Sequence, residues 1–513
     1  MNTFSNILKY VVKAGNSRIE KKRAKTKHYM AQRNVLNKLL LAAKNTEFGK
    51  HYHFDQILQA DKIIESYQQQ VPVFDYNKMY DTWWNKTLAG KESVTWPGKV
   101  KYFALTSGTS GAASKRIPIT YQMLKAIQKT GRLQILSMAG MNIPSDLYQK
   151  KVLMLNGCSK LEKTEGHFEG DLSGIMAKKF PLWFFRFYKP GKKISSIKDW
   201  NAKIDAMVKA APTWDVGIIA GVPAWVQLLL SRIIDHYGLN NIHEIWPNFK
   251  IFAHGGVAMN PYKNSLTKLF GKEVILLETY LASEGFLAYE KGSKTHNMQL
   301  VTDNGIYFEF VPFNESNFGA DGEILDQPEV LTLQEVEANV DYALLISTCA
   351  GTWRYLIGDV VRFKSVELAE IEIVGRTKHF ISLCGEHLSV DNMNRAITNT
   401  AEEFGINIPE FTVVGIPHNG MFAHQWFLGV ENHIVPDLIK QFLDNQLKEL
   451  NDDYRVERQA ALKEIFVEVL PVSIFYEFLK IKGKAGGQHK FPRVLSKEMH
   501  KEWNKFLTNN ISR

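Results

Sequence analysis

The segment that says most about the fold runs Thr106-Ser107-Gly108-Thr109-Ser110-Gly111-Ala112-Ala113-Ser114-Lys115-Arg116-Ile117-Pro118. Glycine has no Cβ and tolerates positive φ, so a segment of this kind lets the backbone come close to a ligand. Backbone N–H groups, hydroxyl groups and a lysine ammonium can then form a concave, electropositive cradle that suits phosphate groups. The segment therefore predicts a phosphate-binding loop, and the alternative is a flexible, hydroxyl-rich surface turn.

The residues around this loop exclude a P-loop of the Walker type, which needs G-x-x-x-x-G-K-[ST] opening directly into a helix. Gly111 is four residues before Lys115 instead of directly before it, Arg116 follows where the motif has Ser or Thr, and Pro118 disfavours helical geometry just after the lysine. Apolar residues 102–105 predict a strand before the loop, and residues 116–119 predict a second strand after it. A strand–loop–strand cradle is the better interpretation.

The periodicity of apolar residues changes twice along the chain. Helical spacing of apolar side chains predicts helices over the first 70 residues, as at Val35, Leu36, Leu39, Leu40 and Ala43. From about residue 100 to residue 375, short β-rich runs alternate with helices, one of which Thr120 is predicted to cap. That pattern predicts an α/β domain with mixed sheets, and the α+β pattern beyond Gly375 predicts a domain boundary there.

Length and composition fit an enzyme-sized globular protein. A chain of 513 residues with 45% hydrophobic content predicts two or more domains with large cores. Cys158, Cys349 and Cys384 show neither disulfide nor metal spacing, which indicates a reducing, cytoplasmic compartment. We expect no secretory signal and no transmembrane segment, because the longest uncharged run, residues 216–231, is too short and contains Pro223.

The formal net charge of +10 raises the question of a nucleic-acid partner. Basic residues cluster in residues 18–27, but no zinc finger, helix-turn-helix or RNP signature accompanies them. A solvated helix face is the better interpretation, so we expect no nucleic-acid partner. A positive field also favours small anionic substrates. The sequence does not indicate an oligomeric state.

Two further segments place polar side chains in apolar surroundings. Residues 278–285 follow an apolar strand and carry a tyrosine, a small hydroxyl and a carboxylate, at a position where ligands commonly bind in α/β folds. The alternative there is an ordinary acidic turn. Asp359 lies in the apolar run of residues 353–363 and needs partners, because an unpaired buried carboxylate is unfavourable. An ion pair with Arg354 or with Arg362 is the purely structural alternative for Asp359.

The residues quoted above resemble a known family. Residues 106–115 look like the phosphate loop of the adenylate-forming acyl-activating enzymes, and the chain is most similar to the Gretchen Hagen auxin-responsive family of acyl acid–amido synthetases, with bacterial-type character. The resemblance begins at Gln32-Arg33-Asn34-Val35-Leu36, continues through residues 46–50 and 71–76, and ends near Arg493.

The resemblance implies an α/β fold with two domains. Residues 1–375 would form a large N-terminal adenylate-forming domain with mixed β-sheets and helices, its first 70 residues helical. Residues 376–513 would form a smaller, mobile α+β C-terminal domain that carries Lys490.

The resemblance also implies roles for individual residues. Phosphate contacts would come from Thr106, Ser107, Gly108, Thr109, Ser110 and Lys115. The adenine and acyl side would be bordered by Gly255 and Gly256, with Tyr280 stacked near the adenine and Ser283 beside it. His254 is either part of that wall or a packed core histidine. Glu284 would help to hold Mg²⁺, and Asp359 would accept hydrogen bonds from both ribose hydroxyls.

Residues 375–388 resemble the hinge between the two domains of adenylate-forming enzymes. Arg376 would approach phosphate or ribose, and Lys378 would lie near the pivot. His387 stands where related conjugating enzymes often have a lysine, which leaves its role open. Residues 486–493 resemble a C-terminal segment whose lysine, here Lys490, contacts the attacking carboxylate and the α-phosphate.

The activity that the resemblance implies is that of an AMP-forming, ATP- and Mg²⁺-dependent acid–amino acid ligase. A carboxylic acid would be converted to an acyl-AMP, and its acyl group would then be transferred to an amine. We expect this amine to be an amino acid. The first alternative is an acyl-CoA ligase, which shares the adenylation step and forms a thioester. The second is a nucleotide-binding but catalytically silent protein, which the presence of Glu284, Asp359 and Lys490 argues against.

Overall fold

The computed structural model describes residues 28–106, 115–141, 143–155, 159–164, 166–179, 182–256, 259–292, 297–319, 322–377, 380–386, 388–430, 436–481 and 491–511. The described residues up to Thr377 form one compact unit, and those from Phe380 onward form a second, smaller unit. The chain thus passes between the units close to the predicted boundary at residue 375. The assignment of residues 1–375 and 376–513 to two functional domains stays a prediction.

The larger unit is built around β-sheet. Its strands are β1 (Tyr102–Thr106), β2 (Lys115–Ile119), β3 (Lys151–Met154), β4 (Glu162–Thr164), β5 (His167–Gly170), β6 (Tyr188–Lys189), β7 (Val216–Gly221), β8 (Ile251–Gly255), β9 (Ile275–Ala282), β10 (Gly285–Glu290), β11 (Met298–Leu300), β12 (Ile306–Pro312), β13 (Asp341–Thr348), β14 (Thr352–Ser365) and β15 (Glu370–Arg376).

Helices precede, interrupt and cover these strands. They are α1 (His28–Ala43), α2 (Glu47–His51), α3 (Phe54–Gln59), α4 (Ile63–Gln70), α5 (Tyr76–Met79), α6 (Asn85–Leu88), α7 (Tyr121–Ser137), α8 (Leu172–Ala177), α9 (Lys192–Ser195), α10 (Trp200–Ala210), α11 (Pro223–Tyr237) and α12 (Asn260–Leu269). A π-helical turn (Tyr80–Trp84) joins α5 to α6.

Among the described residues, eleven strands form one sheet in the order β12-β13-β14-β15-β11-β10-β9-β8-β7-β3-β6. The pairs β6/β3, β3/β7, β7/β8 and β8/β9 are parallel, and the remaining neighbours are antiparallel. A second sheet has the order β2-β1-β5-β4. The mixed α/β sheet predicted from the sequence is confirmed.

Local sequence signals set the ends of two helices, and the predicted cap at Thr120 is confirmed. The side chain of Thr120 accepts a hydrogen bond from the N–H of Met123, which makes it the N-cap of α7. Pro223 occupies the first turn of α11, where its missing N–H has no helical partner to lose. Gly238 ends α11 in the left-handed conformation, with φ of 63°.

Helix α1 joins the start of the described chain to the sheet. Its apolar face is buried, as its helical spacing predicted, through Val35, Leu36, Leu39, Leu40 and Ala43. The buried side chain of Gln32 donates to the carbonyl oxygens of Thr302 and Ile306 and accepts from the N–H of Phe308. These bonds satisfy backbone groups at the start of β12, so α1 is tied to the sheet by polar as well as apolar contacts.

The smaller unit has an α+β architecture. Its strands are β16 (Phe380–Ile381), β17 (Leu388–Ser389), β18 (Glu410–His418), β19 (Met421–Gly429) and β20 (Leu462–Leu470), and its helices are α13 (Val390–Phe404), α14 (Pro436–Leu450), α15 (Asp452–Gln459), α16 (Val472–Ile481) and α17 (Lys497–Ile511). β19 pairs antiparallel with β18 and parallel with β20. Trp503 packs against Phe475, Phe478 and Phe491 in its core. The predicted α+β fold is confirmed.

Within the residues that the structure describes, no helix combines the length and the apolar character that crossing a membrane requires.

Candidate active site

Two paired strands flank the predicted phosphate loop. β1 ends at Thr106 and β2 begins at Lys115, and these two residues face each other in an antiparallel pair. The predicted strands on either side of the loop are therefore confirmed. The loop residues themselves lie outside the described part of the chain, so their phosphate contacts stay predictions; they are Ser107, Gly108, Thr109 and Ser110.

Glu284 lies in the turn that joins β9 to β10, directly after Ser283. Only 7% of Glu284 is exposed to solvent. Burial raises the pKa of the Glu284 carboxyl to about 7, and the negative charge of Asp359 adds to the rise. The positive charges of Lys115 and Arg376 oppose it. Because charges act on one another strongly only over short distances, the four side chains belong to one local group.

Asp359 is held by two partners. Its Oδ1 forms an ion pair with Arg376, 2.9 Å from Nε, and its Oδ2 accepts a hydrogen bond from the hydroxyl of Tyr280 at 2.5 Å. Asp359 and Arg376 face each other in the pairing of β14 with β15. Burial raises the pKa of Tyr280 far above its usual range, and the adjacent Asp359 charge raises it further, so the phenol stays protonated and donates.

The two arginines considered as alternative partners of Asp359 form ion pairs with other carboxylates. Arg362 pairs with Asp341, at 2.6 Å between Nε and Oδ1. Arg354 pairs with the buried Glu309, at 3.1 Å between Nε and Oε2. Asp359 is thus left to Arg376 and Tyr280, which come from the sequence segments singled out for nucleotide binding.

Gly255 ends strand β8 where it lies against β9. A Cβ at this position would stand 2.3 Å from the carbonyl oxygen of Thr279, so no larger residue fits. The next residue, Gly256, has φ of 84°, a conformation that favours glycine. The two glycines therefore bring the end of β8 close to the segment that carries Tyr280.

His254 precedes these glycines and is buried, with 4% of its surface exposed. Burial lowers the pKa of its imidazole to about 4, so the ring is neutral near pH 7. Its Nδ1 has no hydrogen-bond partner among the described residues. Phe252 packs against the ring, with centroids 5.6 Å apart. These surroundings favour the interpretation of His254 as a packed core residue.

Sequence reasoning missed two tyrosines that border this group. The hydroxyl of Tyr76 accepts a hydrogen bond from the N–H of Arg116 at 2.9 Å. Tyr355 is 2% exposed, and burial raises its pKa far above the usual range, with the Glu284 charge as the next cause. Both residues lie in segments that the resemblance covered, but only the fold brings them beside residues 115 and 284.

The predicted site residues are partly brought together. One charged group in the larger unit is formed by Lys115, Glu284, Asp359 and Arg376. Tyr280 joins this group by its hydrogen bond to Asp359, and Gly255 adjoins it through β9. Three residues of the predicted hinge and C-terminal segment lie outside the described part of the chain, so their roles stay predictions; they are Lys378, His387 and Lys490.

Family models match this chain in order along most of its length. The GH3 family N-terminal domain matches residues 17–211, the GH3 family central domain matches residues 299–376, and the GH3 family C-terminal domain matches residues 391–499. The chain belongs to the GH3 family. The family predicted from the phosphate loop and the four motifs that follow it is thereby confirmed.

Named GH3 relatives are similar to parts of the chain. An indole-3-acetic acid-amido synthetase of Arabidopsis thaliana, GH3.2, is 26% identical over 182 residues, which are 33% of each protein. The jasmonoyl–L-amino acid synthetase JAR4 of Nicotiana attenuata is 30% identical over 160 residues, 30% of this chain and 26% of the relative. The chain thus spans a third or less of the length of these two relatives. Both are plant proteins, so the bacterial-type character stays a prediction.

Solved structures share the fold over nearly the whole chain. The GH3.15 acyl acid amido synthetase has a TM-score of 0.60 and 19% identity, covering 97% of this chain and 96% of that one. A 2-hydroxyisobutyryl-CoA ligase in complex with 2-HIB-AMP and CoA has a TM-score of 0.58 and 13% identity, covering 94% and 92%. At these identities the likeness shows the fold alone, which the GH3 chain shares with these two proteins.

Proposed function

We propose that this GH3 protein is an AMP-forming ligase that joins a carboxylic acid to an amine, with an amino acid as the acceptor. In the first step a carboxylate oxygen attacks the α-phosphorus of ATP, which forms an acyl-AMP and releases pyrophosphate. In the second step the amine nitrogen attacks the acyl carbon, the bond to AMP breaks, and the nitrogen loses a proton. The named relatives are acid–amino acid synthetases, which supports this choice of substrates.

The observation that carries the proposal is the single charged group formed by Lys115, Glu284, Asp359 and Arg376. These side chains come from four separate segments, and the resemblance to the family implies a role at the nucleotide or its metal ion for each of them. Adenylation demands that two anionic reactants be aligned and their charge neutralised. A group with two cations and two carboxylates, of which Glu284 is buried and the others are partly buried, suits that task.

Asp359 fits the predicted role of holding the ribose. One of its carboxylate oxygens accepts a hydrogen bond from Tyr280, and the other is paired with Arg376. A carboxylate oxygen has about two lone pairs, so each oxygen retains the capacity to accept a ribose hydroxyl. The existing bonds would fix the carboxylate for that purpose.

Glu284 fits the predicted role of a magnesium ligand. Mg²⁺ usually binds one or two carboxylates together with phosphate oxygens and water, so a single buried glutamate can supply the protein's share of the ligands. Within the described residues, no cluster of three or more His, Cys, Asp or Glu side chains could hold a metal ion. The ion would neutralise negative charge on the phosphates, while Lys490 would act on the attacking carboxylate and the α-phosphate.

The decisive experiment is a screen for acid-dependent pyrophosphate release from ATP across a panel of carboxylic acids. The best acid is then incubated with ATP and either a mixture of amino acids or coenzyme A. We expect pyrophosphate release with at least one acid and an amide product with an amino acid. A thioester in place of the amide would establish the CoA-ligase alternative, and ATP binding without any acid-dependent release would establish the catalytically silent one.

We also propose that the protein acts in the cytoplasm on small-molecule substrates. Cys349 and Cys384 are buried free thiols, which suits a reducing compartment.

A further inference from the structure

Tyr76 occupies a fixed position beside the strand that follows the phosphate loop. It begins helix α5, which Asp75 caps by accepting a hydrogen bond from the N–H of Lys78. Its ring stacks on Tyr80 with centroids 5.6 Å apart and meets Trp84 edge-on at 6.0 Å. Trp84 is fully buried, so the tyrosine is packed against the core of the larger unit. Tyr80 and Trp84 therefore hold the ring of Tyr76 in place.

From this position Tyr76 makes two contacts with consecutive residues of β2. Its hydroxyl oxygen accepts a 2.9 Å hydrogen bond from the N–H of Arg116. Its ring lies under the ammonium of Lys115, with 5.2 Å from Nζ to the ring centroid, which is within cation–π range. One side chain thus holds both the backbone and the charged group at the point where the phosphate loop ends.

The side chain of Arg116 is held separately, on the second sheet. Its Nε donates to Oε1 of Glu169 at 2.8 Å, and the same carboxylate oxygen contacts Nε2 of His167 at 2.8 Å. Glu169 and His167 are both buried on β5, which pairs with β1. The start of β2 is therefore fixed from two directions, by Tyr76 on the backbone and by Glu169 on the Arg116 side chain.

We propose that Tyr76 is a positioning residue for the Lys115 ammonium and, through it, for the phosphate groups of ATP. A lysine side chain loses considerable rotamer entropy when it is held in one place, so an aromatic face that holds it in advance lowers the cost of contacting phosphate. Lys115 begins β2 opposite Thr106, so it stands where the predicted phosphate loop ends. This inference rests on the proposed function only for the identity of the ligand.

The test measures binding of MgATP and of adenosine to the full-length protein by calorimetry, with no acid present. Tyr76→Phe removes the hydroxyl and keeps the ring, and we expect it to weaken MgATP binding about threefold to tenfold, the effect of one hydrogen bond. Tyr76→Leu removes the ring as well, and we expect a loss of about tenfold to a hundredfold. Adenosine affinity stays within twofold in both variants, because adenosine has no phosphate.

Tyr67→Phe is the matched control, because it also removes one tyrosine hydroxyl. The hydroxyl of Tyr67 hydrogen-bonds to Ser347 at 2.8 Å and contacts no member of the charged group. This control substitution should lower the unfolding temperature without changing either affinity. Unchanged MgATP affinity in Tyr76→Leu, or equal weakening of MgATP and adenosine, would overturn the positioning role. If the parent protein binds MgATP but no acid yields pyrophosphate, the proposed function fails while the role of Tyr76 is still decided.

Discussion

The hydroxyl of Tyr280 donates a 2.5 Å hydrogen bond to Oδ2 of Asp359, although their strands, β9 and β14, stand four places apart in the large sheet. In a flat sheet, strands four places apart would be separated by about 19 Å. The sheet must therefore curve so that the two strands approach at this point. One consequence is that Glu284, four residues after Tyr280, lies within range of the Asp359 charge.

Loss of this hydrogen bond should weaken nucleotide binding. Tyr280→Phe keeps the ring that is predicted to stack near the adenine and removes only the donor to Asp359. A hydrogen bond to a charged acceptor is worth about 1.5–3 kcal/mol, so we expect KM for ATP to rise by about tenfold or more with little change in kcat. Steady-state kinetics of acid-dependent pyrophosphate release measure both constants.

A double-mutant cycle with Asp359→Asn separates this effect from general destabilisation. If the hydroxyl acts through Asp359, Tyr280→Phe should change KM much less in the Asp359→Asn background than in the parent. Equal effects in the two backgrounds would mean that the phenol does not position the carboxylate.

Some of this site could be predicted because its signals are local. The strands on either side of residues 107–114 follow from apolar runs and from Pro118, and the start of α7 follows from the capping side chain of Thr120. Short-range preferences of this kind depend on neighbours in sequence. They fix the ends of elements before any tertiary contact is known.

The partners of Asp359 were harder to predict from the sequence. The alternatives weighed there, Arg354 and Arg362, are five and three residues from Asp359 on the same strand, β14. The pairing of β14 shifts register on either side of Asp359, and the structure pairs Arg354 with Glu309 and Arg362 with Asp341 instead. The true partners come from β15 and β9, and their approach depends on strand register and sheet curvature.

Tyr76 shows the same limit more strongly. Its contact with Arg116 joins residues 40 positions apart in the sequence. No sequence motif around either residue predicts this contact. In the sequence, only the resemblance to the family distinguishes residues 71–76. Their position beside β14 comes from backbone hydrogen bonds of Phe74 with Arg354 and Leu356, which no local pattern encodes.

Lys490 is predicted to act in adenylation. Lys490→Ala removes the cation that the sequence assigns to the attacking carboxylate and the α-phosphate. One well-placed donor at such a site contributes about 3 kcal/mol, so ATP–pyrophosphate exchange should slow about a hundredfold while ATP affinity changes little. Lys497, an exposed lysine on α17, provides the control, and Lys497→Ala should exchange at the parental rate. Equal exchange rates in Lys490→Ala and the parent would remove Lys490 from the mechanism.

His254 should make the stability of the larger unit depend on pH. Burial lowers its pKa to about 4 from an ordinary value of 6.5, so the unfolded chain binds more protons than the folded one between those two values. Stability contributed by the neutral ring is therefore present above pH 6.5 and is lost as the pH falls towards 4. Between pH 8 and pH 5 the free energy of unfolding should drop by about 2 kcal/mol from this group.

Urea unfolding of the parent and of His254→Asn at both pH values measures this contribution. The variant has no titrating ring at this position, so its pH-dependent loss should be smaller by the amount given. The same loss in both proteins would show that residue 254 is solvated as an ordinary histidine.

Glu386 should stabilise the smaller unit down to strongly acidic pH. The carboxylate is fully buried and accepts hydrogen bonds from the N–H groups of Leu383 and Cys384, and it contacts Nε2 of His424 at 2.9 Å. Burial alone would raise its pKa, but the bonds from His424 and from these N–H groups lower it to about 2.

The folded pKa of Glu386 thus lies below the ordinary value of 4.5, so its contribution to the free energy of unfolding is present above pH 4.5 and is lost as the pH falls towards 2.

Glu386→Gln leaves His424 and the N–H groups of Leu383 and Cys384 poorly satisfied, and breaking such a buried pair costs about 3–5 kcal/mol. Fluorescence of Trp426 and Trp503, both buried in this unit, should report an unfolding transition at lower urea concentration in the variant at pH 7. Glu402→Gln changes an exposed position on α13, so it should unfold at the same urea concentration as the parent. If Glu386→Gln also unfolds at the parental urea concentration, the buried contacts of Glu386 do not stabilise the smaller unit.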